Sequence, residues 1–291
     1  MCCSLGEAEL TNTIISCIET KHPKTGRAIH VLGYQNKARS FAGPNAMLLP
    51  FPAAAPMGPE NILDTRACPQ ILSDYATAAT PKFGLSFSGT TTRSASKSIQ
   101  VFDSGNYTVV LANDANLIPS ALDRVPANKR PPRNQPIFDR YAHMYRADKG
   151  WQFGLCCWDG AVDAEPLMWW FEPQFESKLF FPGLDAHDGR PPALDSIVAV
   201  DHTLVVGSYM REVGDMNEVW FTRRPPIELQ PFVCSHVAGA EFKREEGDDI
   251  VFDEGHLPNG DWWFDVDNFK KLSSEPQNNK ALFQRSSPLA V

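Results

Sequence analysis

The residues best suited to chemistry lie at the start of the chain and in one loop of its second half. Met1 precedes Cys2, and initiator methionine is generally removed before a residue this small, so the mature chain is expected to begin at Cys2. A cysteine in that position carries a thiol and a free α-amine on neighbouring atoms. The amine, with an ordinary pKa near ~8, can take the thiol proton near neutral pH without a second side chain. Asn36, Asn45 and Arg39 are the polar side chains read as its partners. A second set, Asp185, His187, Asp201 and His202, supplies the carboxylate and imidazole donors that suit Zn, Mn or Fe, where a bound water would be the nucleophile. The spacing of these four is no specific metal signature. Asp188-Gly189 is also turn chemistry, and His202 alternates with apolar neighbours as a core residue would.

The Met1-Cys2 start resembles the N-terminal-nucleophile hydrolases, several of which begin Met-Cys. The resemblance covers those two residues and implies a Cys2-dependent amide or ester hydrolase. Such enzymes also need a nearby Arg or Asn and oxyanion donors. Cys3-Ser4-Leu5-Gly6 departs from the glycine- or threonine-rich continuation common among them.

The competing reading is a non-catalytic binding or interaction module. Trp158, Trp169, Trp170 and Trp263 lie in strand-like runs, and a cleft lined by indoles would hold a small planar ligand, a sugar or a peptide. Adjacent tryptophans on a strand face opposite ways, so Trp169 and Trp170 cannot both line one surface, and sheet packing is the simpler use of such rings. No cofactor is specified. Gly84 to Thr90 has the glycine spacing of a phosphate loop but lacks its lysine, and the acidic run Glu245 to Asp249 reads as a solvated turn.

A net charge of −8 argues against a nucleic-acid phosphate binder. Hydrophobic residues at 43% and charged residues at 21% specify a globular chain, and no apolar run is long enough to cross a bilayer. The first residues show neither a basic segment nor an apolar one of the secretory kind, and seven cysteines form no spaced disulfide framework. A cytoplasmic protein with reduced thiols is therefore expected; its oligomeric state is not specified.

The elements that must position these residues read as β-rich α+β. Residues 13–19 and 28–32 flank the turn-rich His22 to Gly26 and predict a hairpin. Two stretches echo each other: 30–34 followed by 46–52, and 153–158 followed by 167–173, each leading to later strand-like runs at 98–112 and 196–207. The echo predicts two pseudo-duplicated sheet-containing halves packed into one compact body, the first over 1–112 with a covering helix and the second over 151–272. A helical connector is expected at 113–150 and a polar tail at 273–291. Helices are read at 61–80, broken near Cys68-Pro69, and at 116–119 and 134–145; further strands are read at 218–221 and 232–234.

Overall fold

The computed structural model describes residues 3–79, 98–145, 150–163, 165–175, 177–193, 199–245, 249–253, 257 and 270–271. Cys2, Trp263, the Ser/Thr-rich stretch 84–97 and the tail from 273 lie outside the described residues.

The strands are β1 (Cys3–Ser4), β2 (Ala8–Lys21), β3 (Ala28–Ser40), β4 (Asn45–Pro52), β5 (Ile62–Leu63), β6 (Ile99–Ser104), β7 (Tyr107–Ala112) and β8 (Trp151–Trp158). They continue as β9 (Ala161–Asp163), β10 (Leu167–Phe171), β11 (Lys178–Phe181), β12 (Ala199–Ser208), β13 (Asn217–Glu218), β14 (His236–Glu245), β15 (Ile250–Asp253) and β16 (Lys270–Lys271). The helices are α1 (Ile71–Ala78), α2 (Ile118–Ala121) and α3 (Gln135–Met144). The protein is thus α+β and strand-rich, as the sequence indicates. Among the described residues no helix is long and apolar enough to cross a membrane.

One sheet has the order β1-β4-β8-β7-β6 and is antiparallel throughout. The larger sheet runs β13-β14-β12-β2-β3-β10-β5, with β9 also beside β3 and a parallel pairing between β12 and β2. A small third sheet joins β11, β15 and β16. Alternation along the strands sorts the core into three layers. Leu49, Phe51 and Val109 of the first sheet meet Ile15, Leu32 and Trp169 of the second in the central layer. On the far side of the first sheet Leu48, Val110 and Leu155 pack under Ile118 of α2 and Phe138 of α3. On the far side of the second, Ile18, Val31 and Val205 pack under Ile71, Leu72 and Tyr75 of α1.

The echoing segments do not each make a sheet. β3 and β4 of the first copy enter different sheets, and so do β8 and β10 of the second. β3 pairs with β10, placing Leu32 opposite Trp169, and β4 pairs with β8, placing Leu48 opposite Leu155. Exchanging the copies maps one pairing onto the other. The relation ends there, because the first copy continues as the β6–β7 hairpin and the second as the single strand β12 parallel to β2.

Three local readings change. Between 61 and 80 the helix begins only at Ile71, after Pro69, because Ile62 and Leu63 pair with β10. At 218–221 only Glu218 lies in a strand: the amide and hydroxyl of Thr222 donate to Asp74 on α1 at 2.9 and 2.7 Å, drawing the chain off the sheet. Strand character at 232–234 gives way to a tight turn at Gln230–Phe232.

Gly239 of β14 lets α1 sit against the sheet. A Cβ there would stand 2.3 Å from the Leu204 carbonyl oxygen and 2.6 Å from Ala79 Cβ. Gly239→Ala is expected to cost about 1–3 kcal/mol in urea unfolding, since the backbone oxygen cannot swing aside. Gly33→Ala should cost less, because the atoms it meets belong to the side chains of Ser16 and Leu72, which can move.

Candidate active site

The amino-terminal segment is sewn into an edge between β4 and residues 186–189. Cys3 lies opposite Leu48 of β4 and bridges Ala186 on its other side. The amide of Ser4 donates to the Ala186 carbonyl at 3.0 Å, and that of Ala8 to the His187 carbonyl at 2.8 Å. Two asparagines hold this seam. Asn45 accepts from the Gly6 amide at 2.9 Å and donates to the Gly6 carbonyl at 3.0 Å. Asn134, at the start of α3, caps no helical amide; its side chain donates to the Leu5 carbonyl at 2.8 Å and the Gly189 carbonyl at 2.6 Å.

Cys3 and Ala186 both pack on the α2–α3 side of the first sheet. Asp185 and His187, one residue either side of Ala186, reach the opposite side. His187 Nε2 stands 2.5 Å from one oxygen of the fully buried Asp185 carboxylate. His202, projecting from β12 of the second sheet, has its Nε2 3.9 Å from the other oxygen. Burial pushes the His202 imidazole far below its ordinary pKa, and the charges of the amino terminus and of His187 act in the same direction. The ring is therefore neutral, and its Nδ1 has no hydrogen-bond partner among the described residues.

A second buried acid lies nearby in the chain's path. Asp249 accepts from the amides of Gly183 and Leu184 at 2.6 and 2.9 Å and from the hydroxyl of Tyr145. Burial pushes its carboxyl up to about 6, while those three hydrogen bonds and the charge of the amino terminus pull the other way. Asp249 thus braces residues 183–184, which lead directly into Asp185 and His187.

Of the residues singled out by sequence, Asp185, His187 and His202 come together and Asp201 does not. Asp201 precedes His202 on β12, faces the other way, and accepts the Asn12 amide at 2.7 Å at the bulge of β2. Among the described residues no group of three His, Cys, Asp or Glu side chains is arranged to hold a metal ion. Asn36 is buried on β3 with its amide donating to the Tyr34 hydroxyl at 3.2 Å. Trp158 and Trp169 are fully buried, one against Tyr107 and the other against Phe51, leaving no ring face open for a ligand. Trp170 alone of the described three reaches the outer side, its Nε1 donating to the Glu60 carbonyl at 2.9 Å beside His22 and Phe232. Sequence reading missed Asn134, Tyr145 and Asp249. An asparagine at a helix start, a stripe aromatic and one acid in an acidic run carry no signal that sets them apart.

No protein-family model and no curated protein sequence matches the chain. Among solved structures, the crystal structure of baculovirus P35 superposes with a TM-score of 0.41 at 10% identity, over 92% of this chain and 93% of that one. A superposition that loose identifies neither fold nor function.

Proposed function

We propose that the protein is an amide or ester hydrolase whose nucleophile is the Cys2 thiol, with the α-amine exposed by removal of Met1 as its base. The observation that carries this reading is the seat of Cys3, fully buried and bridged to Ala186 between Asp185 and His187. Consecutive Cα atoms are about 3.8 Å apart, and neighbouring strand residues face opposite ways. Cys3 faces the helices, and Asp185, His187 and His202 gather on the opposite side of the sheet.

In this mechanism the α-amine takes the thiol proton as sulfur bonds to the substrate carbonyl carbon. The tetrahedral adduct then breaks its C–N or C–O bond, and the leaving group takes that proton from the α-ammonium. Water attacks the resulting thioester, losing its proton to the α-amine. The C–S bond breaks, the acid departs, and the thiol recovers its proton. Asp185 orients His187, and neutral His202 offers Nδ1 as an acceptor within the same buried group.

The reading has a sharp test, because the six described cysteines are all buried. Burial pushes the Cys157 thiol up to about 12 and raises those of Cys17, Cys68 and Cys234. Brief iodoacetamide treatment of native protein should therefore yield one adduct, on Cys2, in a chain whose intact mass lacks Met1. Across a panel of p-nitroanilides and p-nitrophenyl esters, Cys2→Ala is expected to lower turnover about a thousandfold or more. Alanine still permits Met1 removal, so the amine is kept. Retention of Met1 in active protein, or full activity in Cys2→Ala, would end the proposal.

A further inference from the structure

At one open end of the sandwich, a cleft of about 640 Å³ lies between β5 and the turn that joins β6 to β7. Its size falls within the range of about 300–1,000 Å³ common for small-ligand sites. Ile62, Phe102 and Leu167 give it apolar walls. Its charged lining comprises Asp64, Asp103, Glu165 and Arg66, three carboxylates to one guanidinium. Arg66 is already committed, its Nε and Nη2 donating to the two oxygens of Asp64 at 2.8 and 2.5 Å. Asp103 and Glu165 form no salt bridge with any described residue.

These two carboxylates come from different sheets and are brought to one rim by local geometry. Asp103, near the end of β6, accepts the Thr108 hydroxyl at 2.5 Å, which fixes the orientation of its carboxylate. Glu165, just before β10, lies over the neighbouring turn at Gly105, where φ is +52°. A Cβ at Gly105 would stand 2.4 Å from the Glu165 Oε2, so glycine serves both the left-handed backbone and the close approach. The result is an apolar hollow with two carboxylates at its mouth, neither in a salt bridge with a described residue, of which Glu165 also feels the charge of Arg66.

We propose that this cleft binds an organic cation, an ammonium or guanidinium group carried on an apolar stem. The stem takes the apolar walls and the cation lies between Asp103 and Glu165; a neutral or anionic isostere gains nothing from the rim. The cleft borders β6, and β1 forms the opposite edge of that sheet, four strand spacings or about 19 Å away. The proposal therefore stands apart from chemistry at Cys2.

The test is calorimetric titration of the full chain at low salt with phenethylamine, phenethyl alcohol, 3-phenylpropionate and the peptide acetyl-Phe-Arg-amide. At least one of the two cationic probes should bind, about tenfold or more tighter than the alcohol or the acid. Binding should weaken about tenfold in Asp103→Asn/Glu165→Gln, whose thermal midpoint should match wild type because the amides keep an oxygen that can accept the Thr108 hydroxyl. Amine without peptide binding identifies a free small cation as the occupant, and peptide without amine binding identifies a basic side chain. Failure of both cations on wild type, equal affinity for the alcohol, or undiminished binding in the double variant would overturn it. The isostere comparison needs only wild-type protein, so a misfolded variant cannot rescue the idea.

Discussion

Arg211→Met is expected to lower the unfolding free energy by about 3–5 kcal/mol, among the largest effects of any single substitution in this chain. Glu19 on β2 is completely buried, and Arg211, just beyond β12, is 7% exposed. The guanidinium grips the carboxylate with two nitrogens, Nε donating to Oε2 at 2.6 Å and Nη2 to Oε1. Ser208 adds a third donor, its hydroxyl 2.7 Å from Oε2. Removing the arginine leaves a carboxylate in the central layer with only that hydroxyl, and its desolvation is no longer offset. The pair itself need not be worth much: Glu19→Leu/Arg211→Met removes both charges and should recover most of the loss. Urea unfolding of wild type, the single variant and the double variant measures this directly. A double variant no more stable than Arg211→Met would show that the arginine acts through packing rather than by neutralising Glu19.

The same region marks what could be read from sequence. The β2–β3 hairpin was legible because Thr13 to Glu19 is β-branched and strand-like and is followed by turn residues. The β4 and β8 runs were legible as strands and even as counterparts, though not as partners of one another. Register between segments a hundred residues apart depends on packing that no local pattern encodes. β14 was illegible for a definite reason. At its centre Ala238, Gly239 and Ala240 carry no bulky or β-branched side chain, and Gly239 is needed where Ala79 at the end of α1 closes on the strand, so little in the run announces a strand.

The candidate site divides in the same way. Asp185, His187 and His202 were recognisable by residue type, yet alternation along β12 alone separates His202 from Asp201. The supports are carried by distant elements: Tyr145 follows α3, Asp249 precedes β15, and Asn134 starts α3. Each is an ordinary residue for its local setting. Only the fold brings them to the amino-terminal seam, where Asn134 ties Leu5 to Gly189 and Asp249 fixes residues 183–184.

Acid should destabilise this protein through His30, and His30→Phe should remove much of that sensitivity. His30 lies opposite Glu19 on the inner face of β3, 1% exposed, with its ring edge-on to Phe171 at 5.9 Å. Neither ring nitrogen has a hydrogen-bond partner among the described residues. Burial first, and the charge of Arg211 second, lower its pKa to about 3. In the unfolded chain the same imidazole takes a proton near pH ~6.5. Below that pH the unfolded state binds one more proton than the folded state. The stability that neutral His30 contributes is present above pH ~6.5 and drains away as pH falls toward ~3, to a total of about 5 kcal/mol. Asp249 works in the opposite sense. Its raised folded pKa gives stability that is whole below its ordinary carboxylate value and lost as pH rises through about 6, so it softens the acid limb without cancelling it. His202, also buried and neutral, steepens that limb alongside His30. Because these other groups remain in both proteins, the difference between wild type and His30→Phe isolates one imidazole. Urea midpoints taken between pH 7.5 and 4 should diverge below pH ~6.5, wild type falling faster by up to ~1.4 kcal/mol per pH unit. Phenylalanine keeps the contact with Phe171 and needs no polar partner, so stability above pH 7 should hold or rise. Parallel curves would mean that folded His30 takes up its proton as readily as an exposed imidazole, and that the central layer admits a charge the packing around it gives no means to solvate.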